Sequence, residues 1–250
     1  MILSRNLIDP INHEINFKLV DSKNTKNIVY IHGFSATWSY YKSFFEQLHK
    51  HGYNVYAFDL PNHGANKDVD HQYTFLEYID YSKKYIKDLN LDSFILMGHS
   101  MGGGISTAIV NSFTNIERLI LIDAFNYGCS NWAMNAISMI SNKVEIPNFE
   151  GWFTNNAKTP WFQPAKLALS LFNKDALALL KKEFENIKVP TLAMYGINEN
   201  IIDPLAAFNF MFPILKNIKG STFTLIENAK HTPHYENTTK TVEVITNYLK

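Results

Sequence analysis

Short, continuous apolar runs alternate with amphipathic stretches over most of this chain. Asn27-Ile28-Val29-Tyr30-Ile31, Val55-Tyr56-Ala57-Phe58, Phe94-Ile95-Leu96-Met97 and Arg118-Leu119-Ile120-Leu121-Ile122 have no polar residue in their interiors. Such runs fit strands of a parallel sheet covered on both faces. Between them, apolar residues return at helical spacing: Tyr41, Phe44, Phe45 and Leu48 with Gly52 as a stop, then Phe75, Ile79, Ile86 and Leu89, then Ile105, Ala108 and Ile109. Residues 13–20 alternate polar and apolar instead, the pattern of a half-exposed strand, and Asp21-Ser22-Lys23-Asn24 supplies a turn.

The alternation stops after Ile122. From Ala124 to Ile187 the pattern offers amphipathic helical pieces only, one around Ala133, Ala136, Ile137 and Ile140, another around Leu177, Leu180, Phe184 and Ile187. Pro147, Gly151, Pro160 and Pro164 break the stretch between them. Strand and helix resume with Thr191–Tyr195, a helix through 207–215, the strand Thr222–Ile226 and a closing helix carrying Val242, Ile245, Tyr248 and Leu249. The expected architecture is therefore α/β, with residues 1–123 and 188–250 as the core domain and residues 124–187 as an inserted helical cap.

Composition narrows the function. Net charge is zero and no basic cluster occurs, which argues against nucleic acid and anionic membrane surfaces as partners. The single cysteine, Cys129, excludes an internal disulfide and cannot build a zinc site, and no H-E-x-x-H occurs, so no metal is expected. Asp9, Pro10, His13 and Glu14 interrupt any apolar core in Met1–Val20, and no run approaches the roughly 18 apolar residues of a membrane span. A soluble, cytoplasmic protein without integral membrane association is the expectation. The pattern carries no signal of oligomeric state.

The chemistry centres on Gly98-His99-Ser100-Met101-Gly102, set between the apolar run Phe94–Met97 and a helical stripe. A chain that turns from strand to helix within one or two residues is strained at the serine, and side chains at the flanking glycines would collide there. The hydroxyl then stands above the first N–H groups of a helix, a setting suited to a nucleophile. A serine needs a base, and the base needs an orienting acid. In an open parallel sheet these lie beyond the carboxyl ends of strands. His231 follows the strand ending at Ile226 and is the leading base, with His234 as its rival. Glu199 follows the strand ending at Tyr195 and is the preferred acid. Asp203 is the alternative, although its place before Pro204 also makes it a natural helix N-cap. Asp123 is a third candidate, with a turn role as its simpler reading. The oxyanion formed in acyl transfer needs N–H donors. Met101 and Phe34 are the candidates, with His32 as a structural partner of the Phe34 loop.

Taken together, His32-Gly33-Phe34, Asp59-Leu60-Pro61-Asn62-His63-Gly64, Gly98–Gly103, the Gly196–Pro204 loop and the His231 segment with Glu236 behind it resemble the α/β-hydrolase family. Within it the chain is most similar to capped carboxylesterases and monoacylglycerol-lipase-like serine hydrolases. The resemblance spans about residues 13 to 249 and implies a mostly parallel eight-stranded sheet flanked by helices, with a helical cap after the sixth strand. It also implies hydrolysis of small-molecule esters, small to medium acyl or monoacylglycerol-like, without a cofactor. Two positions depart from the family pattern: Glu199 stands where aspartate is usual, which keeps Asp203 open, and Lys230 stands where glycine often precedes the histidine. Trp132, Trp152 and Trp161 are cap candidates for lining an acyl pocket, against the simpler role of burying the cap's own face. Thioester or carbon–carbon bond hydrolysis by the same residues, and a non-catalytic ligand-binding module on the same fold, are the competing readings.

Overall fold

The continuous apolar runs become central strands because helices cover both faces of the sheet. The computed structural model describes residues 16–67, 69, 71–128 and 164–250. Among these the strands are β1 (Asn16–Leu19), β2 (Lys26–Ile31), β3 (Tyr53–Phe58), β4 (Phe94–His99), β5 (Ile116–Ile122), β6 (Thr191–Gly196) and β7 (Thr222–Ile226). They form one sheet in the order β1-β3-β2-β4-β5-β6-β7. β1 runs antiparallel to β3, and every other neighbouring pair is parallel. The resemblance implies an eighth strand, which has no counterpart among the described residues.

The helices are α1 (Lys42–Lys50), α2 (Phe75–Asp88), α3 (Met101–Ile109), α4 (Pro164–Leu171), α5 (Lys174–Glu185), α6 (Pro204–Leu215), α7 (Pro233–Glu236) and α8 (Thr238–Tyr248). Side chains along each central strand alternate between two cores. Ile28, Tyr30, Ile95, Met97, Ile120 and Ile122 pack with Phe44, Phe45 and Leu48 of α1 and Val242 and Ile245 of α8. Val29, Ile31, Leu96, Leu119 and Leu121 pack on the other face with α2, α3, α5 and α6 through Phe75, Ile105, Phe184 and Met211. Each fully buried side chain of this size contributes about 1.5–3 kcal/mol by leaving water, which is why no polar alternation survives in these strands.

Residues 129–163, which hold Trp132, Trp152, Trp161 and most of the expected cap, lie outside the described residues. The part of the 124–187 segment that is described packs on the core. Leu167, Leu171, Leu180 and Phe184 join the second face, and Ser170 Oγ accepts the Phe75 N–H at 2.9 Å. One expectation changes here. Pro164 opens α4 instead of interrupting the segment, because a first-turn proline lacks only an N–H that the helix would leave unbonded.

The strand order places the site. From β2 the chain moves to β3 on one side and then to β4 on the other, so the winding reverses between β2 and β4. The loops leaving these two adjacent strands diverge and open a crevice at their carboxyl ends.

Candidate active site

Ser100 sits in that crevice, between the last residue of β4 and the first of α3, with φ 51 and ψ −120. Three backbone bonds hold this conformation: Ser100 N–H donates to Ile122 O at 3.0 Å, and Ser100 O accepts from Gly104 N–H at 3.1 Å and Phe125 N–H at 2.9 Å. The glycines make the bend sterically feasible. A Cβ on Gly98 would lie 2.3 Å from Gly102 O, and one on Gly102 would lie 2.2 Å from Ile31 O. The end of β2 therefore presses directly on the start of α3. Ser100 is 8% exposed.

The structure brings Ser100, His231 and Glu199 together. His231 Nε2 lies 2.9 Å from Ser100 Oγ, and His231 Nδ1 lies 2.7 Å from Glu199 Oε2. A carboxylate at Nδ1 fixes the proton on that nitrogen and leaves Nε2 as the acceptor for the serine hydroxyl. Glu199 Oε1 accepts the N–H groups of Ile201 at 2.6 Å and Ile202 at 3.2 Å. Burial alone would raise the Glu199 pKa, but the facing His231, its hydrogen bond and that of the Ile201 amide work against burial, and the pKa lies below the usual carboxylate range.

Loops after β6 and β7 meet to make this possible. A Cβ on Gly196 would fall 2.0 Å from Lys230 O, so only glycine lets the acid loop and the histidine loop touch. Glu236 Oε2 then accepts the N–H groups of Lys230 at 2.8 Å and Thr232 at 3.0 Å, one on each side of His231. His99 Nε2–H donates to His231 O at 2.8 Å and fixes the backbone of the same residue.

Of the rival candidates, His234 and Asp203 sit elsewhere and Asp123 adjoins Glu199. His234 is buried in the α1 core, with Nε2 2.9 Å from Tyr30 Oη and its ring stacked 4.1 Å from Tyr41. Asp203 caps α6, accepting the Leu205 N–H at 2.9 Å. Asp123 is fully buried at the end of β5, where Oδ1 accepts the Gly196 N–H at 3.0 Å. Carboxylate oxygens of Asp123 and Glu199 and His231 Nδ1 lie within 4.8 Å of one another, with Nδ1 and Glu199 Oε2 at hydrogen-bond separation.

The loop after β2 carries Phe34 beside the serine. A Cβ on Gly33 would approach Ser100 Cβ to 3.0 Å. Two histidines and one aspartate tie the loop down. His32 Nε2 accepts the Leu60 N–H at 2.9 Å while its Nδ1–H donates to Gly33 O at 2.8 Å. His63 Nε2 accepts the Ser35 N–H at 3.2 Å. Burial drives His32 well below the usual histidine range and His63 down to about 4, so both stay neutral and keep Nε2 free to accept. Asp59 Oδ1 accepts the Trp38 N–H and Oδ2 the Ala65 N–H, each at 3.0 Å. Sequence reasoning anticipated the structural role of His32. It missed His63 and Asp59, whose only signal was their place in Asp59–Gly64.

Residues 26–160, more than half the chain, match the family model described as alpha/beta hydrolase fold. The chain belongs to the alpha/beta hydrolase fold family. Among relatives of this family, the Mycoplasma genitalium protein named "Putative esterase/lipase 3" is 26% identical over 98% of this chain and 96% of its own length. Two solved members share the fold. An esterase from Exiguobacterium antarcticum superposes with TM-score 0.71 at 20% identity, covering 94% of each chain. A mutant N-acyl homoserine lactonase, complexed with N-hexanoyl homoserine lactone, does so with TM-score 0.74 at 15% identity, covering 94% of this chain and 92% of its own. Among the described residues of this family member, no helix is long and apolar enough to cross a membrane.

Proposed function

We propose that the protein is a serine hydrolase of carboxylic esters, with Ser100 as nucleophile, His231 as general base and acid, and Glu199 as the orienting acid. The observation that carries this reading is the unbroken hydrogen-bond path from Ser100 Oγ through both ring nitrogens of His231 to a buried carboxylate. A relative named as an esterase/lipase and alignable over nearly the whole chain supports an ester as the substrate class.

Ser100 Oγ bonds to the acyl carbon while its proton passes to His231 Nε2, and the carbonyl electron pair moves to oxygen. The Met101 and Phe34 N–H groups receive that oxyanion, each donor contributing about a hundred- to a thousandfold in rate. Glu199 stabilises the imidazolium, which then protonates the leaving alkoxide as the carbon–oxygen bond breaks. Water, deprotonated by His231, attacks the acyl-enzyme. The carboxylic acid departs and the Ser100 hydroxyl is restored.

Residues 124–187, the insertion between β5 and β6, are assigned as the cap, anchored on the core by the described helices α4 and α5. Uncharged small to medium acyl esters and monoacylglycerol-like substrates are the proposed substrate class. One cysteine and no internal disulfide fit the cytoplasm.

A chain-length series of p-nitrophenyl and glyceryl esters, with matched thioesters, tests this. The expected result is highest kcat/KM on short to medium oxygen esters and loss of turnover in Ser100→Ala. Ser100-dependent turnover of thioesters alone would make the protein a thioesterase. Binding without any turnover would make it a ligand-binding module.

A further inference from the structure

Asp123 is an unusual neighbour for a carboxylate that must stay charged. It stands at the end of β5 with φ 40, fully buried, and its backbone N–H donates to Met194 O at 2.9 Å. One of its oxygens accepts the Gly196 N–H, whereas Oδ2 is enclosed and meets no N–H or O–H donor among the described residues. The acidic groups that bear on it are Glu199, a carboxylate oxygen of which lies within 4.8 Å of one of its own, and Glu236. Two carboxylates this close, away from water, cannot both be ionised, so the pair shares one proton. The number of donors decides which side keeps the charge. Glu199 receives three, from His231, Ile201 and Ile202, and Asp123 receives one. The burial of Asp123 and its proximity to Glu199 raise its pKa well above the usual range, which agrees with this count.

We infer that Asp123 is a neutral carboxylic acid whose Oδ2–H donates to the Glu199 carboxylate, making it a positioning residue for the path from Glu199 through His231 to Ser100. This rests on the hydrolase reading above. The donated proton satisfies the enclosed Oδ2 and adds a fixed hydrogen bond to Glu199. Clamped by Asp123 and by the Ile201 and Ile202 amides, Glu199 keeps Oε2 aimed at Nδ1 of His231. No proton leaves Asp123 during turnover.

The test compares native protein with Asp123→Asn, Asp123→Ala and Glu199→Gln. Asparagine copies the neutral acid, with an N–H for Glu199 and an oxygen for the Gly196 N–H. Asp123→Ala is expected to lose about tenfold or more in kcat with little change in KM, and Asp123→Asn to restore activity to within about threefold of native. The native infrared spectrum at neutral pH should show the C=O stretch of a buried protonated carboxyl that Asp123→Asn lacks. The inference is overturned if Asp123→Asn loses as much as Glu199→Gln, if Asp123→Ala keeps the native rate, or if the band is missing. Should Asp123→Ala not fold, the band and the asparagine variant still decide. If Ser100→Ala and Glu199→Gln both keep native ester turnover, the hydrolase reading fails, and the infrared band still reports on the acid pair.

Discussion

Two buried aspartates follow strands β3 and β5, which have two strands between them in the sheet, and do opposite work. Asp59, past β3, faces the N–H groups of Trp38 and Ala65 and the side chain of Thr37, and stays a hydrogen-bond acceptor that ties down the Phe34 loop. Burial raises its pKa, but those donors limit the rise to about 6, so it is ionised at neutral pH. Asp123, past β5, has one N–H donor and a carboxylate neighbour, and holds its proton. Similar burial thus yields a charged anchor in one place and a neutral donor in the other. What differs is the number of donors each carboxyl meets.

The largest effect that can break this contrast comes from Glu199, the charge that Asp123 complements. Glu199→Gln is expected to lower kcat on p-nitrophenyl esters by about 10³–10⁴-fold, the scale found when a histidine loses its orienting carboxylate. A loss below about tenfold would move the working charge to Asp123. Next comes Asp59→Ala, which leaves two backbone amides without their acceptor. It should cost about 2–4 kcal/mol in urea unfolding at unchanged slope, and a cost below about 1 kcal/mol would deny Asp59 its anchoring role.

A pH series sharpens the same contrast. The folded pKa of Asp59, about 6, lies above the ordinary value of 3.8, so the folded state binds its proton more tightly than the unfolded chain. Its contribution to stability therefore falls as pH rises from about 4 to about 6 and is constant above, a swing of about 3 kcal/mol. Glu199 runs the other way: its pKa is lowered, so its contribution is present above the ordinary value of 4.5 and lost as pH falls below it. Native stability minus that of Asp59→Asn, measured from pH 4 to pH 7, should show the first trend, and a flat difference would contradict it.

Much of this was legible in the sequence because it depends on local geometry. Gly98, Ser100 and Gly102 announce a bend that only their order permits, and His231 and Glu199 stand just past strands whose apolar runs are continuous. Asp203 also reads correctly as a helix cap once Pro204 follows it. Asp123 read more simply as a turn residue because nothing in its neighbourhood along the chain reveals that Gly196 and Glu199 fold against it. Asp59 and His63 were hidden for the same reason, since their partners Trp38 and Ser35 come from another loop. His234 stood as the rival to His231, and its packing against Tyr30 and Tyr41 sets it apart from the base that meets Ser100 and Glu199.

The smallest effect belongs to the carboxylate outside the contrast. Asp203→Asn keeps an N-cap acceptor on α6, so stability should move by less than about 0.5 kcal/mol and ester turnover should be unchanged. A large loss of turnover would reinstate Asp203 as the acid.

The most direct measurement is covalent labelling by a fluorophosphonate, read by intact mass and peptide mapping. The account predicts one adduct, on Ser100, absent in Ser100→Ala and formed at least about a thousandfold more slowly in His231→Ala. An adduct on another residue, or a native labelling rate in His231→Ala, would contradict it.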